Sequence, residues 1–176
     1  NKSQQNAYNL IMKNNSTQSY DKLYSMLSSY IHKNVDYIEM FKNKINNLTL
    51  DKKVVIFAKS KNEANEISMS ISDVGRYPNK LKHTVVSYSE GAYGLNDLVE
   101  FNTIIMRPPA PDLLPQIKGR LDRYGQIGKE LYIEYIILKN TIEEASLDRL
   151  NLARNFYNNH IMPLGEFYKI ASSYKP

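Results

Sequence analysis

Apolar positions along the chain change their spacing several times, and each change predicts an element. Leu23, Met26, Leu27, Tyr30 and Ile31 recur at three- and four-residue steps, as do Tyr37, Ile38, Phe41 and Ile45. That spacing predicts a helical pair over 20–47 with one face packed into a core. Residues 54–58 form a short unbroken apolar run rich in β-branched side chains, the pattern of a strand buried on both faces of a parallel sheet. Ser60, with Glu63 three residues on, has the form of a capping box. It opens a helix through Ala64, Ile67 and Ile71 that stops near Gly75, ahead of Pro78. Residues 84–86 and 103–106 read as two more short strands. Residues 131–138, Leu-Tyr-Ile-Glu-Tyr-Ile-Ile-Leu, read as the clearest strand of all. Pro108, Pro109 and Pro111 break the chain before a helix capped by Asp112. Pro115 falls in its first turn, where a missing donor costs little. Thr141 and Glu144 make a second capping box, opening a helix over 141–157 that carries Leu147, Leu150, Leu152 and Phe156.

Strands alternating with helices predict an α/β fold, a parallel sheet with helices on both faces. Residues 1–19 are polar and rich in asparagine and serine, and read as a loose lead-in or a short helix. Residues 20–150 form the lobe proper, and 151–176 a C-terminal helical extension. A chain of 176 residues is long enough for one domain with a full core. The absence of cysteine excludes disulfides, cysteine zinc sites and cysteine nucleophiles, and fits an intracellular protein. His32, His83 and His160 share no ligand spacing, so no metal site is expected. No apolar run is long enough for a membrane span. The net charge of +5 is compatible with a nucleic-acid partner without being diagnostic of one. The chain opens on Asn1 rather than Met, as expected of a piece of a longer protein.

Candidate chemistry gathers just after the predicted strands, where open α/β sheets bind ligands. Lys59 and Ser60 follow the first strand. Ser87-Tyr88-Ser89-Glu90-Gly91-Ala92-Tyr93-Gly94-Leu95-Asn96 follows the second, and Arg107 the third. Gly91 and Gly94 permit a loop whose amides face a phosphate, although an ordinary strand-to-helix turn has the same composition. The next helix carries Gln116-Ile117-Lys118-Gly119-Arg120-Leu121-Asp122-Arg123-Tyr124-Gly125-Gln126. Arg120 and Arg123 sit three residues apart, on one helix face, and a guanidinium is a permanently charged planar fork suited to phosphate oxygens. Two of the six arginines thus fall in one short motif of a chain that has 17 lysines. A solvated basic turn is the alternative reading of that pair taken alone.

Taken together, the segments at 53–60, 87–96 with 103–109, and 116–126 resemble, in order and spacing, motifs IV, V and VI of superfamily 2 helicases and translocases. Gly94-Leu95-Asn96 and Arg123-Tyr124-Gly125-Gln126 are most similar to the Swi/Snf-type branch. The resemblance implies the C-terminal RecA-like lobe of a two-lobe motor, with added N-terminal and C-terminal helices, of viral or phage origin. It implies that Arg120 and Arg123 act as arginine fingers on ATP held by a second lobe, a role worth roughly 10³–10⁵ in rate where it has been measured. Gln116, Gly119, Glu90 and Gly94 would adjoin the nucleotide. Lys59, Ser60, Ser87, Tyr88 and Gly91 would contact a nucleic-acid strand, DNA in preference to RNA, through its backbone. The helix over 141–157 is similar to the brace helix after motif VI.

Three departures qualify the pattern. The sequence carries no Gly-x-x-x-x-Gly-Lys-Ser/Thr loop and no Asp-Glu acid motif after a strand. ATP and Mg²⁺ are therefore expected on an N-terminal lobe of the same polypeptide, and this fragment alone is not expected to hydrolyse ATP. The gap between 58 and 84 is also short for the family, which predicts a sheet reduced by one strand. A tryptophan-centred segment usual before motif VI is replaced by Arg107-Pro108-Pro109-Ala110-Pro111. A non-catalytic binding or assembly module on a degenerate helicase fold is the alternative function.

Overall fold

The computed structural model describes residues 2–15, 17–92, 98–109, 113–121 and 130–159, with side chains apart from those of 20, 21, 92, 118–121 and 152–159. In chain order the elements are α1 (Lys2–Asn14), α2 (Tyr20–Asn34), α3 (Tyr37–Asn46), β1 (Val55–Ala58), α4 (Lys61–Ser70), β2 (Val74–Arg76), β3 (His83–Ser87), α5 (Tyr88–Ala92), β4 (Thr103–Met106), α6 (Leu113–Leu121), β5 (Tyr132–Tyr135) and α7 (Ile142–Asn159). The five strands form one sheet in the order β2-β3-β1-β4-β5, and every pair is parallel.

Side-chain alternation splits the core into two layers. Ile56 and Ala58 of β1, Val85 of β3 and Ile105 of β4 face one side. There they meet Leu27 and Ile31 of α2, Tyr37, Phe41 and Ile45 of α3, and Ala64 and Ile67 of α4. Val55, Phe57, Val86, Ile104 and Met106 face the other side, against Tyr88, Leu98, Phe101, Leu114 and Ile117 of the α5–α6 region and Leu150 of α7. All four residues of β1 and of β4 are buried, as continuous apolar runs in a doubly covered sheet require.

The gap thought too short for a further strand contains one. β2 is three residues long, pairs with β3 from Val74↔His83 to Arg76↔Val85, and restores a five-stranded sheet. The predicted helix therefore ends at Ser70 rather than near Gly75. Gly75 is required where it lies, because a Cβ there would come within 2.1 Å of the Asn79 carbonyl oxygen as the 77–82 link folds back over it. No helix separates β2 from β3. At the opposite edge, β5 covers only Tyr132–Tyr135 of the longer strand expected over 131–138.

The N-terminal segment is helical and attached. Tyr8 of α1 is buried, and its hydroxyl accepts a hydrogen bond from the Ile142 amide, the first of α7, at 2.6 Å. Burial raises its pKa above 10.0. Both predicted capping boxes form with a one-residue offset. Ser60 Oγ accepts from the Glu63 amide at 3.2 Å, while the Glu63 carboxylate accepts from the Lys59 amide at 2.5 Å. Thr141 Oγ1 accepts from the Glu143 amide at 3.2 Å, while the Glu144 carboxylate accepts from the Asn140 amide at 2.9 Å. Each first-turn glutamate thus reaches the residue before the cap.

Candidate nucleic-acid and interlobe face at the carboxyl edge

Because the strands are parallel, their carboxyl ends share one edge, and the segments after β1, β3 and β4 converge there. From β1 the chain moves outward to β2 and β3, then returns to β4 on the other side. The β1–β4 junction is therefore the switch point, where an open sheet leaves a crevice for a ligand.

Here the protein's own side chains fill that crevice. Arg107, directly after β4, is 4% exposed, and its Nη2 donates to Glu63 Oε1 at 2.6 Å, Glu63 being 2% exposed. Its guanidinium carbon lies 3.9 Å from the centre of the Tyr37 ring, a cation–π contact. Tyr37 donates through its hydroxyl to Glu143 Oε1 at 2.7 Å, and Glu143 Oε2 accepts from the Leu138 amide at 2.9 Å. Arg107 Nη1 lies 3.8 Å from Glu143, and the Tyr88 hydroxyl donates to the Arg107 carbonyl at 2.5 Å. Only Arg107 Nε in this group lacks a partner. Burial pulls the guanidinium pKa down, but Glu63, Tyr37 and Glu143 together outweigh it and the net shift is upward. Burial drives the phenols of Tyr37 and Tyr88 well above their ordinary value. The cluster joins α3, α4, β4 and α7. Sequence reading noted Arg107 only by its position and missed Glu63, Glu143 and Tyr37 as its partners. Its one signal is an arginine closing an apolar strand.

The expected site residues divide by depth. Lys59 and Ser60 are exposed at the end of β1. The Lys59 ammonium donates to Ser28 Oγ and lies 5.8 Å from the Tyr24 ring centre. Burial, then the nearby charge of Arg107, lowers its pKa. Ser87 and Tyr88, expected on the strand-contacting surface, are instead buried. Ser87 lies wholly inside, where its Oγ and amide both donate to Glu90 Oε2, at 2.7 and 3.1 Å. Tyr88 points into the core and ties β3 to β4. Ser89 is the exposed residue of that turn. Gly91 is buried, and a Cβ there would lie 2.2 Å from Phe57 Cε1, so close packing on the β1 phenylalanine accounts for this glycine.

Glu90 is half-buried and bound from two sides. Arg76 Nη2 contacts its two oxygens at 2.7 and 2.6 Å, and Arg76 Nε donates to Asn65 at 2.9 Å. Burial raises the carboxyl pKa of Glu90, but the Ser87 and Arg76 hydrogen bonds outweigh it, and the net shift is downward. Arg76, absent from the expected set, lies on the strand that sequence reading missed. Gln116 is exposed on α6, which anchors itself through buried Leu114 and Ile117. Gly119 and Arg120 lie on the backbone of the same helix, and Arg120 follows Gln116 by four residues, on the same face. Gly94 and Arg123 lie outside the described residues.

No protein-family model matches the sequence. Over 157 residues the chain is 45% identical to "Putative helicase L115" of Acanthamoeba polyphaga mimivirus, a match that takes in 89% of this chain and 12% of that protein. Among solved structures, the C-terminal part of the Fun30 ATPase domain superposes with a TM-score of 0.52 at 23% identity, over 64% of this chain and 44% of that one. The chain is thus a homologue of a segment of a viral helicase-named protein, and its fold is that of the C-terminal part of the Fun30 ATPase domain. No described helix is long and apolar enough to cross a membrane.

Proposed function

We propose that this homologue of a viral helicase segment works as the C-terminal lobe of a nucleic-acid-dependent ATPase, completing an ATP site held on another lobe. The observation that carries the reading is the filled switch point. Arg107 and Glu63 occupy the crevice where an open α/β sheet takes a ligand. The sequence also lacks a phosphate loop and a magnesium carboxylate after a strand. A lobe built this way contributes to a nucleotide from its rim. The rim element with suitable chemistry is α6 and the segment after it, bearing Gln116, Arg120 and Arg123. Gly119 and Gly94 allow the close approach a second lobe requires.

In this mechanism an N-terminal lobe of the full-length protein would hold ATP and Mg²⁺, ATP supplying the phosphoanhydride bond that breaks and the metal neutralising phosphate charge. Arg120 and Arg123 place permanent positive charge against the terminal phosphates when the lobes close, and stabilise the charge that spreads over the transferring group. Lys59 and Ser60, exposed after β1, contact phosphates of a nucleic-acid strand and fix its position without reading its sequence. Ser87, Tyr88 and Gly91 support that surface from beneath, and Glu90 orders the turn through Arg76. DNA is the proposed strand.

The test is nucleic-acid-stimulated ATPase activity of the full-length protein. Arg123→Ala is expected to lower turnover by roughly 10³-fold or more with the fold intact. Undiminished turnover in that variant removes the finger role. A second reading, a non-catalytic assembly module, draws support from the β2–β3 link, which has no helix, and it stands if the full-length wild-type protein binds strand but has no ATPase activity.

A further inference from the structure

Beside the end of β1 lies a cleft of about 520 Å³ between that strand's exit loop and α2, within the usual range for small-ligand sites of about 300–1,000 Å³. Lys59 and Ser60 form one wall, and Ser25, Ser28, Ser29 and His32 of α2 the other, with Tyr24 beneath the Lys59 ammonium. Among the residues whose side chains are described, none that lines it carries a carboxylate. The α2 residues recur at three- and four-residue steps, so one helix face presents them together. Serine is a weak helix former because its hydroxyl competes for backbone groups, and each one costs helix propensity relative to alanine. Three serines on the cleft face, beside buried Leu27 and Ile31 on the core face, are not explained by helix formation or core packing. Ser28 already accepts from the Lys59 ammonium, and Ser25 and Ser29 present exposed hydroxyls beside it.

We propose that α2 forms the second wall of the nucleic-acid track, and that the cleft takes the phosphodiester backbone of a single strand between Lys59–Ser60 and the serine–histidine face. This rests on the proposed strand-binding function and extends it to a helix outside the helicase-like motifs. Hydroxyl and imidazole donors suit a phosphate, as does the single lysine, and contacts of this kind are insensitive to base identity. Ser28 holds the Lys59 side chain toward the cleft, leaving ammonium protons for the ligand.

Because the chain has no cysteine, an introduced thiol reports one location. Ser25→Cys and Ser29→Cys would each be treated with single-stranded DNA carrying a haloacetyl group on a backbone phosphorothioate. Met69→Cys, on the exposed far end of α4, serves as control. Selective crosslinking at positions 25 and 29, abolished by unmodified strand, is the expected result. The Ser25→Ala/Ser29→Ala/His32→Ala variant should also bind single-stranded DNA about tenfold more weakly, the effect of losing one hydrogen bond to a charged group. Binding without crosslinking at 25 and 29, and unaltered by the triple substitution, overturns the α2 wall and leaves the lobe reading intact. No strand binding by either the chain or the full-length protein overturns both.

Discussion

Replacing Arg107 by methionine keeps an unbranched apolar stem in the β4 exit and removes the charge with its hydrogen bond to Glu63. What remains is Glu63, 2% exposed, still accepting from the Lys59 amide but without its 2.6 Å partner. Removing one member of a buried pair typically costs about 3–5 kcal/mol, because the other charge is left uncompensated. Loss of the Tyr37 ring contact adds a further roughly 0.5–2 kcal/mol. Against a total stability of about 5–15 kcal/mol for a domain, this is a large fraction. For a chain of this size, each kcal/mol is worth about 2–4 °C, so the pair alone predicts a fall in Tm of about 6–20 °C. Urea unfolding followed by circular dichroism is the assay, with wild type, Arg107→Met, Glu63→Gln and the double variant at neutral pH. Glutamine keeps an acceptor for the Lys59 amide while discarding the charge. The double variant should therefore be more stable than Arg107→Met alone, with a coupling energy of at least about 1.5 kcal/mol. A loss below about 1 kcal/mol in Arg107→Met, or strictly additive single changes, would show that the crevice is hydrated and the pair screened, and the reasoning would fail.

Two further outcomes follow from the geometry. Gly91→Ala puts a methyl 2.2 Å from Phe57 Cε1 and should cost about 1–3 kcal/mol by overpacking, with recovery in Gly91→Ala/Phe57→Leu; an unchanged urea midpoint would refute the packing role. Glu134 is held by Lys44 at 2.5 Å and Lys52 at 2.8 Å, and the hydrogen bonds from Lys44 and Lys52 lower its pKa from 4.5. Its folded pKa is depressed, so its contribution is full above the unfolded value and is lost as pH falls through 4.5 toward the folded value. Glu134→Gln should flatten the stability–pH curve in that window and leave the slope above pH 6 unchanged; an unaltered acid limb would refute it.

Much of the architecture was legible because it repeats a period. Unbroken apolar runs marked β1 and β4, and three- and four-residue steps marked α2 and α3. The caps at Ser60 and Thr141 were legible because capping chemistry is local. β2 was not, since Val74-Gly75-Arg76 is too short to show a period, and its glycine reads as a helix stop until the returning 77–82 link is seen against it. Depth within the site was also hidden. Ser87 and Tyr88 fall in a segment whose spacing suits a contact surface, yet the chain turns into α5 immediately after β3 and takes both side chains inside. The partners of Arg107 lie 44 residues upstream at Glu63 and 36 downstream at Glu143, and no local pattern couples positions that far apart. Arg120 was placed on its helix correctly.

The bonds that close the β1–β4 crevice have a consequence for when it can close. Tyr8 holds the leading amide of α7, and Tyr37, Glu63, Arg107 and Glu143 meet at one point although they are spread along most of the described chain. Contacts of such long sequence separation are entropically late, since every intervening loop must be drawn in first. During synthesis Arg107 meets a Glu63 already made, but the Glu143 carboxylate joins them only once residue 143 has emerged. The keystone of this arch is set from the last described helix, so the crevice closes only once that helix has been made.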